Sequence, residues 1–169
     1  MSAFPQPFSF AVLDACHQQI QMHLAELASL AQAIEATGVD AKARHQADAI
    51  ETFFSGNARQ HHAEEERQVF PSLLDSAEAE LIVAVEKLQQ DHGWIEENWL
   101  ELGPQLRAIA AGNSWFEVTE FQHNVEVFLT LCQSHIELEE SLIYPQAKAR
   151  MAQTPAARTK SMPPARTRA

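Results

Sequence analysis

Two eleven-residue segments of this chain follow one pattern: HHAEEERQVFP at 61–71 and HIELEESLIYP at 135–145. Each has a histidine, a glutamate four residues later, a second glutamate beside the first, and an aromatic residue followed by proline at its end. Residues four apart lie next to each other on one face of an α-helix, about 6 Å apart along its axis. Each segment therefore predicts a helix that presents an imidazole and a carboxylate side by side.

Two further histidines repeat at nearly the same separation. His17 and His92 lie 75 residues apart, and the histidine–glutamate pairs of the two segments lie 74 apart. His17 and His92 each stand within an apolar stripe at helical spacing, which predicts that their side chains face a helical core. The chain is therefore predicted to contain two helix–loop–helix halves with six inward-facing polar side chains. These are His17, His61, Glu65, His92, His135 and Glu139.

The composition predicts an all-α fold. Ala, Leu and Glu are abundant and the chain has only five glycines, which favours helix over sheet. Turn signals divide the chain into four helical segments, at about 10–36, 40–70, 76–103 and 114–144, and the last of them could continue slightly past Pro145. Four long helices with short connections predict an up-down-up-down four-helix bundle, and the repeat gives this bundle a pseudo-twofold axis.

Local signals predict where these helices begin and end. Gly38 is a predicted C-cap of the first helix, and Asp40 is a predicted N-cap of the second. Capping boxes at 75–78 and 114–117 predict the starts of the third and fourth helices. The Gly-Pro pair at 103–104 is predicted to interrupt the third helix, with one or two helical turns beyond it.

Charge is unevenly distributed along the chain. Residues 1–149 hold seven basic residues and all 23 acidic ones, whereas residues 150–169 hold five basic residues and no acidic one. We predict one domain, the helical bundle at 1–149, followed by a weakly ordered basic tail at 150–169. An acidic domain argues against nucleic acid or an anionic membrane as a partner. The sequence leaves the oligomeric state open.

The cysteines and the N-terminal residues bear on location. Cys16 and Cys132 are too few for a disulfide framework, so we predict reduced thiols that serve as small buried hydrophobic groups. The first ten residues contain neither a basic segment nor a continuous apolar run, which predicts no signal peptide and no transmembrane span. The predicted location is the cytoplasm.

The six inward-facing side chains predict a metal site. Two buried carboxylates without cations would be costly, because desolvation and mutual repulsion oppose their ionised forms. A glutamate has two oxygens, so Glu65 and Glu139 could each bridge two cations while two imidazoles bind each cation. Mixed imidazole and carboxylate ligands in a helical bundle suit iron, or manganese second, better than zinc, whose structural sites are commonly thiolate-rich.

With these residues, the chain resembles a hemerythrin-like, HHE cation-binding domain over residues 9–148. The resemblance rests on a lone histidine in the first helix, HHxxEExxxFP in the second, DH in the third and HxxxEExxxYP in the fourth. It implies a non-haem di-iron centre with an oxo or hydroxo bridge and two bridging carboxylates, in which manganese or zinc can substitute for iron. The ligands that the resemblance implies are His17, His61, Glu65, His92, His135 and Glu139.

The chain departs from the oxygen-carrying hemerythrins that it resembles. Those carriers have HxxxH on the third helix and HxxxxD on the fourth, whereas Glu96 follows His92 by four residues here. Four histidines and two glutamates, with Glu96 as a candidate seventh ligand, should stabilise ferric iron relative to ferrous iron. We therefore favour sensing, iron handling or reaction with an oxidant over reversible oxygen carriage.

Two functions remain open at this level. One is a di-iron protein that senses or buffers oxygen, nitric oxide or iron. The other is an enzyme that uses open iron positions to reduce peroxide, oxygen or nitric oxide. A ferritin-like ferroxidase needs two ExxH motifs on different helices, and only Glu120 with His123 fits that spacing. The double repeat argues against a helical interaction module without metal.

Residues beside the predicted ligands are assigned other roles. His62 starts a competing HxxxE frame, but the second segment has isoleucine at that position, so we predict a surface or supporting role for His62. Glu66 and Glu140 are predicted to belong to a solvated acidic face. Phe54 and Trp99 are predicted to pack in the core, where they could wall a channel for a small molecule.

Overall fold

A computed structural model describes residues 8–153, and this part of the chain is helical with no strand. Its α-helices are α1 (Phe10–Thr37), α2 (Ala41–Ser55), α3 (Asn57–Glu64), α4 (Phe70–Leu74), α5 (Ala79–Ala110), α6 (Val118–Leu138) and α7 (Tyr144–Gln153). Two π-helical turns, Glu65–Val69 and Glu139–Ile143, join α3 to α4 and α6 to α7. The chain thus forms four rods: α1, then α2 to α4, then α5, and finally α6 with α7.

The four rods form a bundle. α1 packs against α2 and α6, and α5 packs against the same two helices. The first and third rods therefore occupy one diagonal of the bundle, and the second and fourth rods occupy the other. Short connections join consecutive rods, so neighbouring rods run in opposite directions. The predicted all-α, up-down-up-down four-helix bundle is confirmed.

The first loop follows the predicted signals. α1 ends at Thr37, and its C-cap is Gly38, whose positive φ of 75° is one that glycine adopts without strain. The N–H of Gly38 donates to the carbonyl of Ile34 at 2.9 Å. The Asp40 carboxylate accepts a hydrogen bond from the N–H of Ala43 at 2.8 Å, which caps α2. Both predicted caps are confirmed.

The two predicted capping boxes are wrong. α5 begins after Glu78 and α6 begins after Glu117, and neither helix start has a side-chain cap. Ser76 is instead buried, and its hydroxyl donates to the carbonyl of Leu73 at 2.6 Å. That hydroxyl therefore completes the preceding turn. A glutamate at the N-cap still places negative charge at the positive end of each helix dipole.

The predicted interruption of the third helix is also wrong. α5 continues through Pro104 to Ala110. Leu102 and Leu106, on either side of the proline, are fully buried, so packing holds the helix together there. Pro104 has no N–H to donate to the carbonyl of Leu100, four residues earlier. Leu100 is 64% exposed, so water can form a hydrogen bond with that carbonyl instead.

A π turn precedes the proline in both repeated segments. Glu65 and Glu139 are the first residues of these turns, and the N–H of the aromatic residue five positions later donates to the glutamate carbonyl in each. Proline lacks an N–H and its ring crowds the carbonyl four residues earlier, so a helix must widen or bend there. The π turns keep the second and fourth rods continuous across Pro71 and Pro145. Such turns inside α-helices are frequent at functional sites.

A polar layer divides the core of the bundle. One apolar cluster contains Phe54 and Phe128, and a second contains Leu73 and Leu88. Between the clusters, each rod contributes polar side chains; on α1, His17 lies between a leucine of one cluster and an isoleucine of the other. The apolar clusters therefore cover the layer on both sides. The polar layer consists of His17, His61, Glu65, His92, His135 and Glu139.

The fourth rod is longer than predicted. α7 continues to Gln153, four residues into the segment predicted as a basic tail. The rest of that predicted tail, 154–169, lies outside the described residues. No helix within residues 8–153 is long and apolar enough to cross a membrane.

Candidate metal centre

All six predicted ligand side chains meet in the polar layer. α1 and α5 each contribute one histidine from within the helix, whereas α3 and α6 each contribute one from their last turn. The two glutamates are the first residues of the π turns, and both are completely buried. His92 is the least buried of the six, with 10% of its side chain exposed. Helical periodicity thus brings four imidazoles and two carboxylates together inside the bundle.

One group of donor atoms lies beside α1. His61 Nε2 lies 2.9 Å from Glu65 Oε1, and His17 Nε2 lies 3.6 Å from the same oxygen. His17 Nε2 also lies 3.0 Å from Glu139 Oε2. One donor atom from each of these four residues lies within 4.8 Å of all the others. We call this group of four atoms position A.

A second group of donor atoms lies beside α5. His92 Nε2 lies 3.3 Å from Glu65 Oε2, and His135 Nε2 lies 2.9 Å from Glu139 Oε1. The two Nε2 atoms are 3.1 Å apart. Neighbouring nitrogen ligands on one metal are expected at about 3 Å when the metal–nitrogen bonds are about 2.1 Å long. We call these two nitrogens and two oxygens position B.

Each buried glutamate has one oxygen in each position. For Glu65, Oε1 faces position A and Oε2 faces position B. For Glu139, Oε2 faces position A and Oε1 faces position B. The carboxylates therefore lie between the two histidine pairs, which is the arrangement that a bridge between two cations requires. At position A, two imidazole nitrogens and two carboxylate oxygens lie within 4.8 Å of one another. At position B, the atoms that lie this close together come from Glu65, His92, His135 and also His62, and Glu139 Oε1 meets this group through its contact with His135.

The donor atoms fit a cation better than they fit hydrogen bonds to one another. Both ring nitrogens of His61, Glu65 Oε2 and both oxygens of Glu139 are buried without a hydrogen-bond partner. The 2.9 Å approach of His61 to Glu65 is short, yet it lacks hydrogen-bond geometry. Buried polar atoms rarely lack a partner, and a metal ion can satisfy converging lone pairs without a proton between them. The mixed nitrogen and oxygen set suits iron or manganese.

The histidines and glutamates also shift each other's pKa values. Burial alone would lower the pKa of His17, but Glu139 and Glu65 outweigh burial and raise that pKa to about 10. Burial is likewise outweighed at His135, where Asp91 and Glu139 raise the pKa to about 9. Burial would raise the pKa of Glu65, yet its histidine contacts hold that pKa well below the usual range. A metal ion that binds these nitrogens must therefore displace protons.

The second glutamate of each repeated segment contacts a histidine from a neighbouring rod. His17 Nδ1 lies 3.2 Å from Glu140 Oε1, and His92 Nδ1 lies 2.8 Å from Glu66 Oε1. A proton on Nδ1 can donate to the glutamate, which leaves the Nε2 lone pair facing the polar layer. Glu66 and Glu140 are partly exposed, as predicted, but they also orient two candidate ligands. The EE doublet that both segments share is the signal that could have identified them.

Asp91 supports a third histidine. Its Oδ2 lies 3.7 Å from His135 Nδ1, which is too long for a hydrogen bond but close enough for charge attraction. Lys87 Nζ donates to the same oxygen at 2.6 Å and holds the carboxylate in place. The DH pair in the third helix thus supplies one candidate ligand and one acid that supports a ligand from another rod.

We expect Glu66→Ala or Glu140→Ala to weaken metal binding about 10- to 100-fold without changing the number of ions bound at saturation. Each substitution removes the acceptor for the Nδ1 proton of His92 or His17, but neither removes an atom of position A or B. Competition with a chelator measures the affinity, and the matching Glu→Gln variants should recover part of it. Glu137→Ala, at an exposed site on α6, is the control. Loss of one whole ion per chain would show that the glutamate is itself a ligand.

Two more polar side chains border the polar layer. Tyr144 is buried, and its hydroxyl donates to Glu65 Oε1 and lies 3.2 Å from His17 Nε2. His62 is partly buried, and its ring stacks on His92 with the centroids 4.2 Å apart. A ring nitrogen of His62 lies within 4.8 Å of three donor atoms of position B. His62 therefore lies beside the candidate centre rather than on the open surface.

Glu96 lies outside the candidate centre. Its carboxylate accepts hydrogen bonds from Arg59, one of them from Nε at 3.1 Å. Both side chains are well exposed, at 45% for Glu96 and 44% for Arg59. Because Arg59 offsets its charge at the surface, Glu96 is not placed to act as the candidate seventh ligand.

A cavity of about 10 Å³ borders both positions. Its walls include ligand side chains together with Phe54 and Ile136. A cavity of this size has room for about one water molecule. Phe54 forms part of the wall, as predicted for a small-molecule path, whereas Trp99 packs against Phe54 with ring centroids 5.3 Å apart.

Two comparisons with known proteins bear on this site. A sequence profile of the hemerythrin HHE cation-binding domain matches residues 9–147. An uncharacterized protein of Haemophilus influenzae is 27% identical over 143 residues, which cover 82% of this chain and 81% of that protein. The profile match spans all six residues of the polar layer.

Proposed function

The chain belongs to the hemerythrin HHE cation-binding domain family, and from this premise we propose that it is a non-haem di-iron protein. The residues of position A would hold one iron ion and those of position B a second, and Glu65 and Glu139 would be shared between the two. The observation that carries the proposal is the division of each carboxylate between the two histidine pairs. The buried donor atoms that lack hydrogen-bond partners support it.

The donor set favours iron among the metals that cells supply. Four imidazoles and two carboxylates make a mixed set that suits iron, or manganese second. A thiolate-rich zinc site is not available, because Cys132 packs in an apolar cluster and Cys16 is absent from both groups of donor atoms. Zinc can still bind imidazole and carboxylate. The family resemblance adds the expectation of an oxo or hydroxo bridge between the ions.

We propose that the centre senses or handles oxygen, nitric oxide or iron in the cytoplasm. Two bridging carboxylates favour ferric over ferrous iron, which disfavours reversible oxygen carriage. Two imidazoles and two carboxylate oxygens would leave coordination sites open on an iron ion, and the cavity beside them has room for about one molecule the size of water. A diatomic ligand or a small oxidant is therefore the expected partner, and the acidic bundle makes nucleic acid and anionic membranes unfavourable ones.

The alternative is a di-iron enzyme that reduces peroxide, oxygen or nitric oxide. The observation that favours it is Tyr144, whose buried hydroxyl lies between Glu65 and His17. Burial and the nearby carboxylates raise the pKa of this phenol above its usual value, so it keeps its proton at neutral pH. A retained proton beside position A is what a reduction that consumes protons needs.

We expect protein from iron-supplemented cells to contain about two iron ions per chain, with charge-transfer bands in the near ultraviolet. Metal analysis and optical spectra before reduction, after reduction and after air exposure test this. A reversible spectral change without turnover supports the sensor, whereas steady consumption of peroxide or nitric oxide with a reductant supports the enzyme. A chain that binds fewer than two iron ions would contradict the di-iron proposal.

A further inference from the structure

The two repeated segments differ at two places that border the polar layer. The second residue is His62 in the first segment and Ile136 in the second. The tenth residue is Phe70 in the first segment and Tyr144 in the second. The pseudo-twofold axis of the bundle relates the members of each pair, so a difference within a pair is a difference between positions A and B.

The two aromatic residues occupy equivalent places. The Tyr144 ring stacks on His17, with centroids 4.8 Å apart and 10° between the planes. The Phe70 ring stacks on His92, with centroids 5.7 Å apart and 22° between the planes. The two contacts thus differ mainly by one hydroxyl group, and only position A has an additional oxygen at this place.

The Tyr144 hydroxyl has the spacing of an additional ligand. It is hydrogen-bonded to Glu65 Oε1 and lies 3.2 Å from His17 Nε2. Both of those atoms belong to position A. Neighbouring ligands on one ion are separated by about 3 Å when the metal–ligand bonds are about 2.1 Å long. The phenol oxygen can therefore complete the donor set of position A with little movement.

At the second residue of the segments, the additional donor lies beside position B instead of position A. The His62 ring stacks on His92 and meets His135 edge-on, with centroids 5.5 Å apart. One His62 nitrogen lies within 4.8 Å of the donor atoms of Glu65, His92 and His135. Ile136 is buried, lines the cavity and carries no donor. Only position B therefore has an additional nitrogen at this place.

The residues that support the histidine ligands differ in the same way. Asp91 lies 3.7 Å from His135 Nδ1 and directly precedes His92 in the chain. The residue that directly precedes His17 is Cys16, which lines a surface groove beside the other histidine of position A. Position B thus has a carboxylate near one of its imidazoles, whereas the residue at the equivalent sequence position in the first half is a cysteine.

We propose that positions A and B are chemically distinct, with the Tyr144 oxygen as an additional donor for position A once iron binding displaces the phenol proton to solvent, and a His62 nitrogen as an additional donor for position B. This inference rests on the di-iron function proposed above and deepens it. Position A is the oxygen-rich position and position B is the nitrogen-rich one. Because oxygen donors favour the ferric state more than imidazoles do, the residues of position A would suit ferric iron better than those of position B.

Mössbauer spectroscopy of the iron-loaded, fully reduced protein tests this proposal. Two quadrupole doublets of equal area are expected for the wild-type chain. Tyr144→Phe and His62→Ile are matched variants, because each introduces the residue that the other segment already has. Each variant should shift one doublet and leave the other in place, and the double variant should bring the two doublets closer together. One doublet in the wild type, or two doublets that neither variant shifts, would overturn the proposal.

Two controls separate this proposal from the di-iron proposal. Metal analysis of the same samples should give about two iron ions in every variant, since positions A and B keep four donors each. Fewer than two ions in the wild type would overturn the di-iron function and this inference together, whereas two ions with one doublet would overturn this inference alone. Optical titration of the wild-type chain with cobalt(II) gives a reading that needs no variant: two successive sets of ligand-field bands support distinct positions, and one uniform set contradicts them.

Discussion

Replacing Glu65 or Glu139 by alanine should remove both metal ions from each chain rather than one. Each carboxylate gives one oxygen to position A and the other to position B, so its loss takes a ligand from both positions. It also removes negative charge between the two cations, which increases their repulsion in a buried site. The expected iron content falls from about two ions per chain to almost none.

Metal analysis of the purified variants measures this effect, with circular dichroism as a check that the bundle remains helical. Glu137→Ala is the matched control, because it removes an exposed carboxylate two residues from Glu139 on the same rod. Glu65→Gln and Glu139→Gln keep the side-chain shape and one oxygen donor, so they should retain part of the metal. A variant that loses only one ion would show that its glutamate is a terminal ligand and not a bridge.

Helical periodicity made the inward-facing side chains predictable from the sequence. His17 and His92 each stand one turn from buried leucines, so a helix that buries those leucines also buries the histidines. The HxxxE spacing then places an imidazole and a carboxylate on one face of each of two other helices. With the apolar stripes known, only one stretch of the bundle can receive all six side chains.

The sequence could not predict the contacts that depend on how the rods pack. His62 follows His61 directly and lies about 100° away around the helix, so periodicity places it off the core face. It borders position B only because α5 lies close enough for its ring to stack on His92. The contact of Glu66 with His92 was missed for the same reason, because His92 belongs to another rod and the sequence does not show how closely the rods pack.

Local rules also failed where packing outweighs them. A proline in a helix interior usually breaks the helix. α5 nevertheless continues through Pro104, because the side chains of Leu102 and Leu106 on either side of it are packed in the core. The second and fourth helical segments were predicted to stop close to the repeated aromatic–proline pair, and π turns allow the rods to continue instead. These turns begin at Glu65 and Glu139, so the backbone adjustment for proline coincides with the candidate metal centre.

Removing the metal ions should make the stability of the bundle depend strongly on pH between about 6.5 and 8.5. Contacts with buried carboxylates raise the pKa of His17 to about 10 and that of His135 to about 9 in the folded chain, whereas an unfolded histidine has a pKa of about 6.5. Their protonation therefore contributes stability that is fully present below pH 6.5 or so and is lost as the pH rises through the folded values. Each histidine should contribute to this loss, because the folded chain retains a proton on it that the unfolded chain releases in this pH range. Above about pH 8.5 the thiols of Cys16 and Cys132, whose pKa values are raised in the folded chain, begin to contribute as well, so the lower window isolates the histidines.

Iron should abolish most of this slope, because nitrogens that bind metal exchange no protons in this range. It should also stabilise the bundle by about 4 kcal/mol when free metal exceeds its dissociation constant about a thousandfold. Urea unfolding in chelator and in anaerobic iron(II), at pH 6.5 and at pH 8.5, compares the four conditions. The Glu137→Ala chain should behave as the wild type does, since its exposed carboxylate lies outside the polar layer. Two results together would contradict the metal centre: equal stability with chelator and with iron, and no loss of stability between pH 6.5 and pH 8.5. They would mean that the buried carboxylates need neither protons nor cations.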